Sequence, residues 1–156
     1  MTYVFDTNIF KVLSHYYPGT FASFWKNLDQ MVDDGFIISA KEVFGEVDSK
    51  GNAQFVVDWA RKQKHIFLTP GAAELTFVGQ IFAIPHFQTL VSPQALLRGT
   101  PVADPFVIAL GKTKAATVVT QEKFKPNAAK IPNICKHFSI DCIDAETFLA
   151  QQAWVF

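Results

Sequence analysis

The sequence predicts an α/β fold of three layers, in which helices cover both faces of a mainly parallel β-sheet. The observation that favours it is that short runs of β-branched and aromatic residues alternate with longer segments of helical periodicity. The hydrophobic content, 49% of the 156 residues, is ample for one continuous core. Strands that alternate with helices imply parallel β-α-β units. The apolar runs are far shorter than the roughly 20 residues of a membrane span. We therefore predict one domain, residues 1–156, that does not cross a membrane.

The first strand is predicted at Thr2–Phe5, because this segment is β-branched and aromatic. It stops at Asp6-Thr7-Asn8, which leads into a turn and a helix. Apolar residues then recur at helical spacing from Phe21 to Val32, and Asp33-Asp34-Gly35 ends this second helical segment.

A second strand is predicted at Phe36–Ile38. Ser39 and Glu42 then match a capping box, in which the serine side chain caps a helix and the acid reaches back to the cap. This pattern predicts a helix from about Ala40 to Asp48.

The middle of the chain has helical patterns at 55–60 and 72–82. Between them, His65–Pro70 fits either a short strand or an extended connector. The segment from Ser92 to Pro101 is predicted to be a loop with one helical turn at Gln94–Arg98.

In the last third of the chain, predicted helices and strands again alternate clearly. Asp104 and Pro105 predict a helix through about Lys112, with Asp104 at the cap and Pro105 in the first position. The further elements predicted are a strand at 116–120, a polar loop at 121–133, a strand at 140–143 and a helix at 145–152 capped by Asp144.

The two cysteines, Cys135 and Cys142, favour a reducing compartment. The N-terminus has no basic start and reaches an acid before a signal-type apolar segment could form. We therefore expect reduced thiols in a cytoplasmic protein, and two cysteines alone do not predict a zinc site.

Four acids stand at positions where a parallel sheet gathers its ligands. Asp6 follows the first strand, Glu46 lies two turns into the helix predicted after the second strand, Asp104 begins a helix, and Glu122 follows the strand ending at Thr120. Ligand crevices of such sheets lie outside the carboxyl ends of the strands. Carboxylates are the ligands that Mg²⁺ or Mn²⁺ prefers, and such an ion can activate water against a phosphodiester. Glu46 is preferred to its neighbour at position 42, which is assigned to the capping box.

Each of these acids also has a structural explanation when it is taken alone. Asp6 and Asp104 are both placed to cap a helix. Glu46 could pair with Lys50 one turn later on the helix surface. Glu122 could be a solvated loop acid among lysines. The functional interpretation therefore depends on the four acids as a set.

Four segments together resemble the PIN-domain family of nucleases, which includes the VapC-type toxins of toxin–antitoxin pairs. The segments are Tyr3-Val4-Phe5-Asp6-Thr7-Asn8, Val43-Phe44-Gly45-Glu46, Asp104-Pro105-Phe106-Val107-Ile108-Ala109 and Val118-Val119-Thr120-Gln121-Glu122. They span nearly the whole chain in the family's order, whereas residues 52–98 match no motif. Glu122 departs from the common pattern, because many relatives have Asp there.

The resemblance implies a PIN-like fold and a metal-dependent ribonuclease that cleaves single-stranded RNA. The metal ligands that it implies for Mg²⁺ or Mn²⁺ are Asp6, Glu46, Asp104 and Glu122. Asn8 and Thr120 match positions that support the acids by hydrogen bonding, and Asn8 could also be a direct ligand. The resemblance further implies a small antitoxin protein as partner and allows a homodimer.

The stretch from Lys112 to His137 has six lysines and one acid, although the formal net charge of the chain is 0. Lys123 and Lys125 could follow RNA phosphates beside an acidic floor, and Phe124 between them could stack on a base. A solvated loop with scattered lysines is the alternative.

Two other functions are compatible with the same residues. One is a PIN-like fold that serves as a non-catalytic binding or regulatory module. The other is a phosphatase with a strand-end Asp nucleophile, although such enzymes usually carry Asp-x-Asp and Asn8 occupies the second acidic position.

Overall fold

Five parallel strands form the centre of the fold. The computed structural model describes residues 1–49, 51–92, 94, 97 and 102–156. Within these residues the strands lie in the order β3-β2-β1-β4-β5, and every pair of neighbours is parallel. The strands are β1 (Tyr3–Phe5), β2 (Ile37–Ala40), β3 (Phe67–Leu68), β4 (Thr117–Val119) and β5 (Cys142–Ile143).

Helices connect and cover these strands. They are α1 (Thr7–Leu13), α2 (Ala22–Asp33), α3 (Lys41–Ser49), α4 (Gln54–Lys62), α5 (Ala72–Phe82), α6 (Asp104–Thr113), α7 (Ile131–His137) and α8 (Ala145–Gln152), with 3₁₀ segments at Lys64–Ile66 and Pro85–Leu90. None of the helices in the described part of the chain is long and apolar enough to cross a membrane.

The central strand β1 is covered on both faces. Tyr3 and Phe5 point to one face, where each makes an edge-to-face ring contact with Phe148 of α8, at 4.9 and 5.3 Å between centroids. Val4 alternates to the other face, together with Val118, its partner in β4. The predicted three-layer α/β architecture is therefore confirmed.

The helix α6 lies close against that second face because it carries a glycine at the contact. A Cβ atom at Gly111 would come within 2.7 Å of Val118 and 2.9 Å of Ile140. Only a residue without a side chain lets the backbone of α6 come this close to the side chains of Val118 and Ile140. The contact fixes α6 on the sheet, and the start of α6 carries Asp104 to the carboxyl ends of the strands.

The capping box predicted at Ser39 and Glu42 is wrong. Ser39 belongs to β2, is fully buried, and donates its hydroxyl hydrogen to the carbonyl oxygen of Phe5 at 2.6 Å. A buried hydroxyl has to find a hydrogen-bond partner, and here that partner is on the neighbouring strand. The helix α3 begins at Lys41, and Oε2 of Glu42 has no hydrogen-bond partner within the described residues.

The loop predicted at 121–133 is too long, because α7 begins at Ile131. Buried Ile131, Ile134 and Cys135 follow helical spacing over only seven residues, which is a short and weak signal. A residue outside the helix stabilises its first turn, since the N–H of Ile131 donates to Oε2 of Glu122 at 3.0 Å.

Other boundaries shift by a few residues. The cap position of α6 is Ala103, so Asp104 is the first helical residue rather than the cap. The last strand is confined to Cys142–Ile143. The segment His65–Pro70, for which the sequence predicts either a short strand or an extended connector, contains strand β3. The turn predicted at 94–98 lies largely outside the described residues. The predicted cap at Asp144 is confirmed, because its side chain accepts from the N–H of Thr147 at 2.8 Å.

Candidate functional site

A cavity of about 280 Å³ opens at the carboxyl ends of β1 and β4. All four acids that the sequence nominates line it, although they come from four separate segments of the chain. Its lining residues are Asp6, Thr7, Asn8, Lys11, Glu46, Asn52, Asp104 and Glu122.

Asp6 combines the two roles that the sequence left as alternatives. It is the N-cap of α1, where Oδ1 accepts from the N–H of Thr7 at 2.7 Å, and it also lines the cavity. Only 3% of its surface is exposed. Burial raises the pKa of its carboxyl from 3.8 to about 6. Hydrogen bonds from Thr120 and Thr7 lower this pKa, but by less than burial raises it. The charges of Glu122 and Glu46 raise this pKa further.

Thr120 connects the end of β4 to Asp6. Its hydroxyl oxygen accepts from the side-chain amide of Asn8 at 3.2 Å and from the N–H of Glu122 at 3.1 Å. Its own hydrogen goes to Oδ2 of Asp6 at 2.8 Å. The other end of the Asn8 amide accepts from the N–H of Gln121 at 3.0 Å. Asn8 and Thr120 thus hold the first acid in place through one continuous network.

Glu46 is held by both of its carboxylate oxygens. Oε2 accepts from the hydroxyl of Thr7 at 2.5 Å, and Oε1 lies 3.4 Å from the N–H of Ala103. These contacts join α3 to the starts of α1 and α6, and Asp104 follows Ala103 directly. The alternative partner of Glu46, Lys50, lies outside the described residues.

Glu122 is half-buried and has a structural partner. Besides lining the cavity, its carboxylate accepts from the N–H of Ile131 and so satisfies one free donor at the start of α7. The sequence did not indicate this contact, because it depends on the helix that was missed.

The donor chemistry of the cavity fits a hard divalent cation. Carboxylate oxygens repel one another here, since Glu46 and Glu122 raise the pKa of Asp6, and a cation would offset that repulsion. Within the described residues, however, no three His, Cys, Asp or Glu side chains converge closely enough to hold a metal ion by themselves. Acids spread around an open cavity suit Mg²⁺ or Mn²⁺, which keep several water ligands.

Three lining residues were not nominated by the sequence. Lys11 adds a positively charged side chain to the acidic cavity, and Thr7 positions Glu46. Thr7 and Lys11 stand at positions i and i+4 of α1, which places both on one face of the helix. This spacing is the sequence feature from which their common place in the cavity could have been predicted. Asn52 donates to the carbonyl of Val47 at 2.9 Å, while its Oδ1 is buried without a hydrogen-bond partner in the described part of the chain. No local pattern marks Asn52.

The fold and the cavity define an α/β protein with an acidic site at the carboxyl ends of its parallel strands. Residues 3–156 match the family described as a domain of unknown function, DUF4411, and the chain belongs to that family. No curated protein matches the sequence. Among solved structures, the chain is similar to VapBC2 from Rickettsia felis bound to a DNA fragment from its promoter. That similarity has a TM-score of 0.49 and 14% identity, over 92% of this chain and 98% of the other.

Proposed function

We propose that the protein is a divalent-metal-dependent ribonuclease that hydrolyses phosphodiester bonds of single-stranded RNA. The observation that carries the proposal is the gathering of Asp6, Glu46, Asp104 and Glu122 in one cavity. These four acids would hold Mg²⁺ or Mn²⁺. The resemblance of the surrounding segments to PIN-domain nucleases supports the choice of RNA as substrate.

A bound ion would supply an activated water and would offset charge on the phosphate. The chain's own residues would position the ligands and the substrate. Thr120 orients the carboxylate of Asp6, and Thr7 orients that of Glu46. Lys11 would contact a phosphate oxygen that enters the cavity, because a cation there attracts the polyanion that the acids repel.

The test is cleavage of single-stranded RNA by the purified protein with Mn²⁺ or Mg²⁺. Asp6→Asn and Asp104→Asn should each abolish cleavage, and a chelator should do the same to the wild type. Asp33→Asn is the matched control, because Asp33 is an exposed acid at the end of α2, away from the cavity. Full cleavage by both cavity variants would overturn the proposal.

A non-catalytic PIN-like module is the second candidate, and one observation favours it. Glu46 and Glu122 already accept hydrogen bonds from protein donors, so both have a structural use without a metal. Calorimetry discriminates the two functions: the nuclease should bind Mn²⁺, and the module should not. The phosphatase is not proposed, because both ends of the Asn8 amide are engaged in the network around Thr120.

The further step, from nuclease to toxin, is also part of the proposal. A cytoplasmic toxin of this type should arrest growth when it is expressed alone. A small antitoxin encoded beside it should relieve the arrest on co-expression. Normal growth with intact, active protein would remove the toxin role and would leave the nuclease role untouched.

A further inference from the structure

Phe124 is an exposed phenylalanine beside the acidic cavity. Its exposed fraction is 49%. It follows Glu122, which lines the cavity, by two residues, and two residues of chain span at most about 7 Å. The backbone of Phe124 therefore lies close enough to the cavity for its side chain to reach a nucleotide next to one whose phosphate occupies the cavity.

The backbone on both sides of Phe124 is fixed by side-chain contacts. Before it, Glu122 is held by Thr120 and by the start of α7. After it, Asn133 accepts from the N–H of Lys125 at 3.4 Å and donates to the carbonyl of Lys125 at 2.6 Å. An exposed aromatic ring on an anchored segment needs little further ordering when it binds a ligand.

The ring has one cation over its face and a lysine on each side of it in the sequence. The ammonium of Lys136 lies 4.7 Å from the ring centroid, and both neighbours of Phe124 in the chain are lysines. Lys123 also faces an acid: the pKa of Asp144 is lowered mainly by its hydrogen bond with Thr147, and the charge of Lys123 contributes. Within the described residues, Lys125 and Lys136 have no carboxylate within ion-pair distance.

We infer that Phe124, Lys125 and Lys136 form a binding subsite for one nucleotide of single-stranded RNA, beside the acidic cavity. The base stacks on the face of the ring opposite Lys136, and the two lysines contact the adjacent phosphate. An anchored aromatic ring among cations matches a ligand that has π-faces and negative charge. The inference rests on the proposed function for the identity of the ligand.

The first experiment measures binding of a short fluorescent RNA by anisotropy in chelator, so that no cleavage occurs. Phe124→Ala should weaken binding by about tenfold, because it removes the ring on which one base stacks. Phe124→Trp should restore the affinity. Phe36→Ala is the matched control, since Phe36 is also exposed, at 41%, but precedes β2 at the opposite end of the sheet.

A second ligand separates stacking from a general effect on the loop. An oligonucleotide of the same length without bases should bind wild type and Phe124→Ala equally. Lys125→Ala should weaken both ligands and reduce the slope of log affinity against log salt by about 0.7. Lys114→Ala is its control, because Lys114 follows α6 at the far end of the sheet.

The outcomes separate this inference from the proposed function. If the wild type cleaves RNA but Phe124→Ala binds both oligonucleotides as tightly as the wild type, the subsite is wrong and the nuclease stands. If binding depends on Phe124 and on the presence of bases while no metal supports cleavage, the subsite stands and the nuclease is wrong. Equal losses on both oligonucleotides would assign Phe124 to loop structure and would overturn the inference.

Discussion

Thr120 donates its hydroxyl hydrogen to Oδ2 of Asp6 at 2.8 Å, across 114 residues of sequence. The direction of this bond is fixed, because two N–H donors, from Asn8 and Glu122, already point at the hydroxyl oxygen. Oδ2 must therefore act as an acceptor. The end of β4 thus determines the orientation of the acid at the end of β1.

Replacing Thr120 by Val should expose the importance of this bond. Valine has the same shape but leaves the buried carboxylate of Asp6 without that donor, which costs about 1–3 kcal/mol of unfolding free energy. Urea denaturation measures the loss. Thr120→Ser keeps the hydroxyl and should lose much less, and equal stability of the Val and Ser variants would contradict the assignment.

The buried carboxyl of Asp6 should make stability depend on pH. Its pKa in the folded state is about 6, above the value of 3.8 expected when it is exposed. The proton is therefore bound more tightly in the folded protein, so the stabilisation is complete below about pH 3.8 and is lost as pH rises through about 6. In the presence of a chelator, the unfolding free energy of the wild type, measured by urea denaturation, should fall by on the order of 2–3 kcal/mol between pH 4 and 8 relative to that of Asp6→Asn. A difference that does not change with pH would rule this out.

A cation in the cavity should reverse that loss. Because Mn²⁺ would bind the folded protein, it should raise the melting temperature at pH 8, and excess chelator should remove the increase. Asp6→Asn and Asp104→Asn should show little or no increase, whereas Asp33→Asn should respond as the wild type does. A rise of the same size in every variant would indicate binding elsewhere.

Lys11 should act on the substrate rather than on the fold. It is an exposed residue of α1 that lines the acidic cavity. Lys11→Gln should lower kcat/KM for RNA by roughly 10- to 150-fold, since hydrogen bonds to charged groups typically contribute about 1.5–3 kcal/mol, while the melting temperature stays unchanged. Lys11→Arg should retain most of the activity. Lys26→Gln on the exposed side of α2 is the control, and an equal loss there would point to general charge rather than to the cavity.

The two cysteines should differ in reactivity. The hydrogen bond with Cys142 raises the pKa of the Cys135 thiol, and its complete burial raises this pKa further. The same hydrogen bond lowers the pKa of Cys142, which is also partly exposed. Iodoacetamide should therefore modify Cys142 first in the folded protein, as peptide mass spectrometry can show. Faster labelling of Cys135 would contradict the described packing.

Local signals in the sequence were sufficient for most of the fold. The opening strand, the helix over 22–33 and the strand before Thr120 follow from residue type and periodicity, which neighbouring residues determine. The helix α7 was missed because it is short and because its first N–H depends on Glu122, nine residues away. The sequence predicts a cap at Ser39 because Glu42 follows at capping-box spacing, whereas the actual partner of Ser39 is Phe5 on another strand.

The choice between Glu42 and Glu46 shows the same division within the site. The sequence alone places two acids one turn apart on α3, and Glu46 is preferred as the ligand because Glu42 fits a capping box, which does not form. Only the tertiary structure brings Glu46 against Thr7 and Ala103, 39 and 57 residues away, and so into the cavity. The strand ends and the acids were determined by sequence because they are local features. Which carboxylates meet was decided by packing, because hydrogen bonds between distant segments leave no periodic signal along the chain.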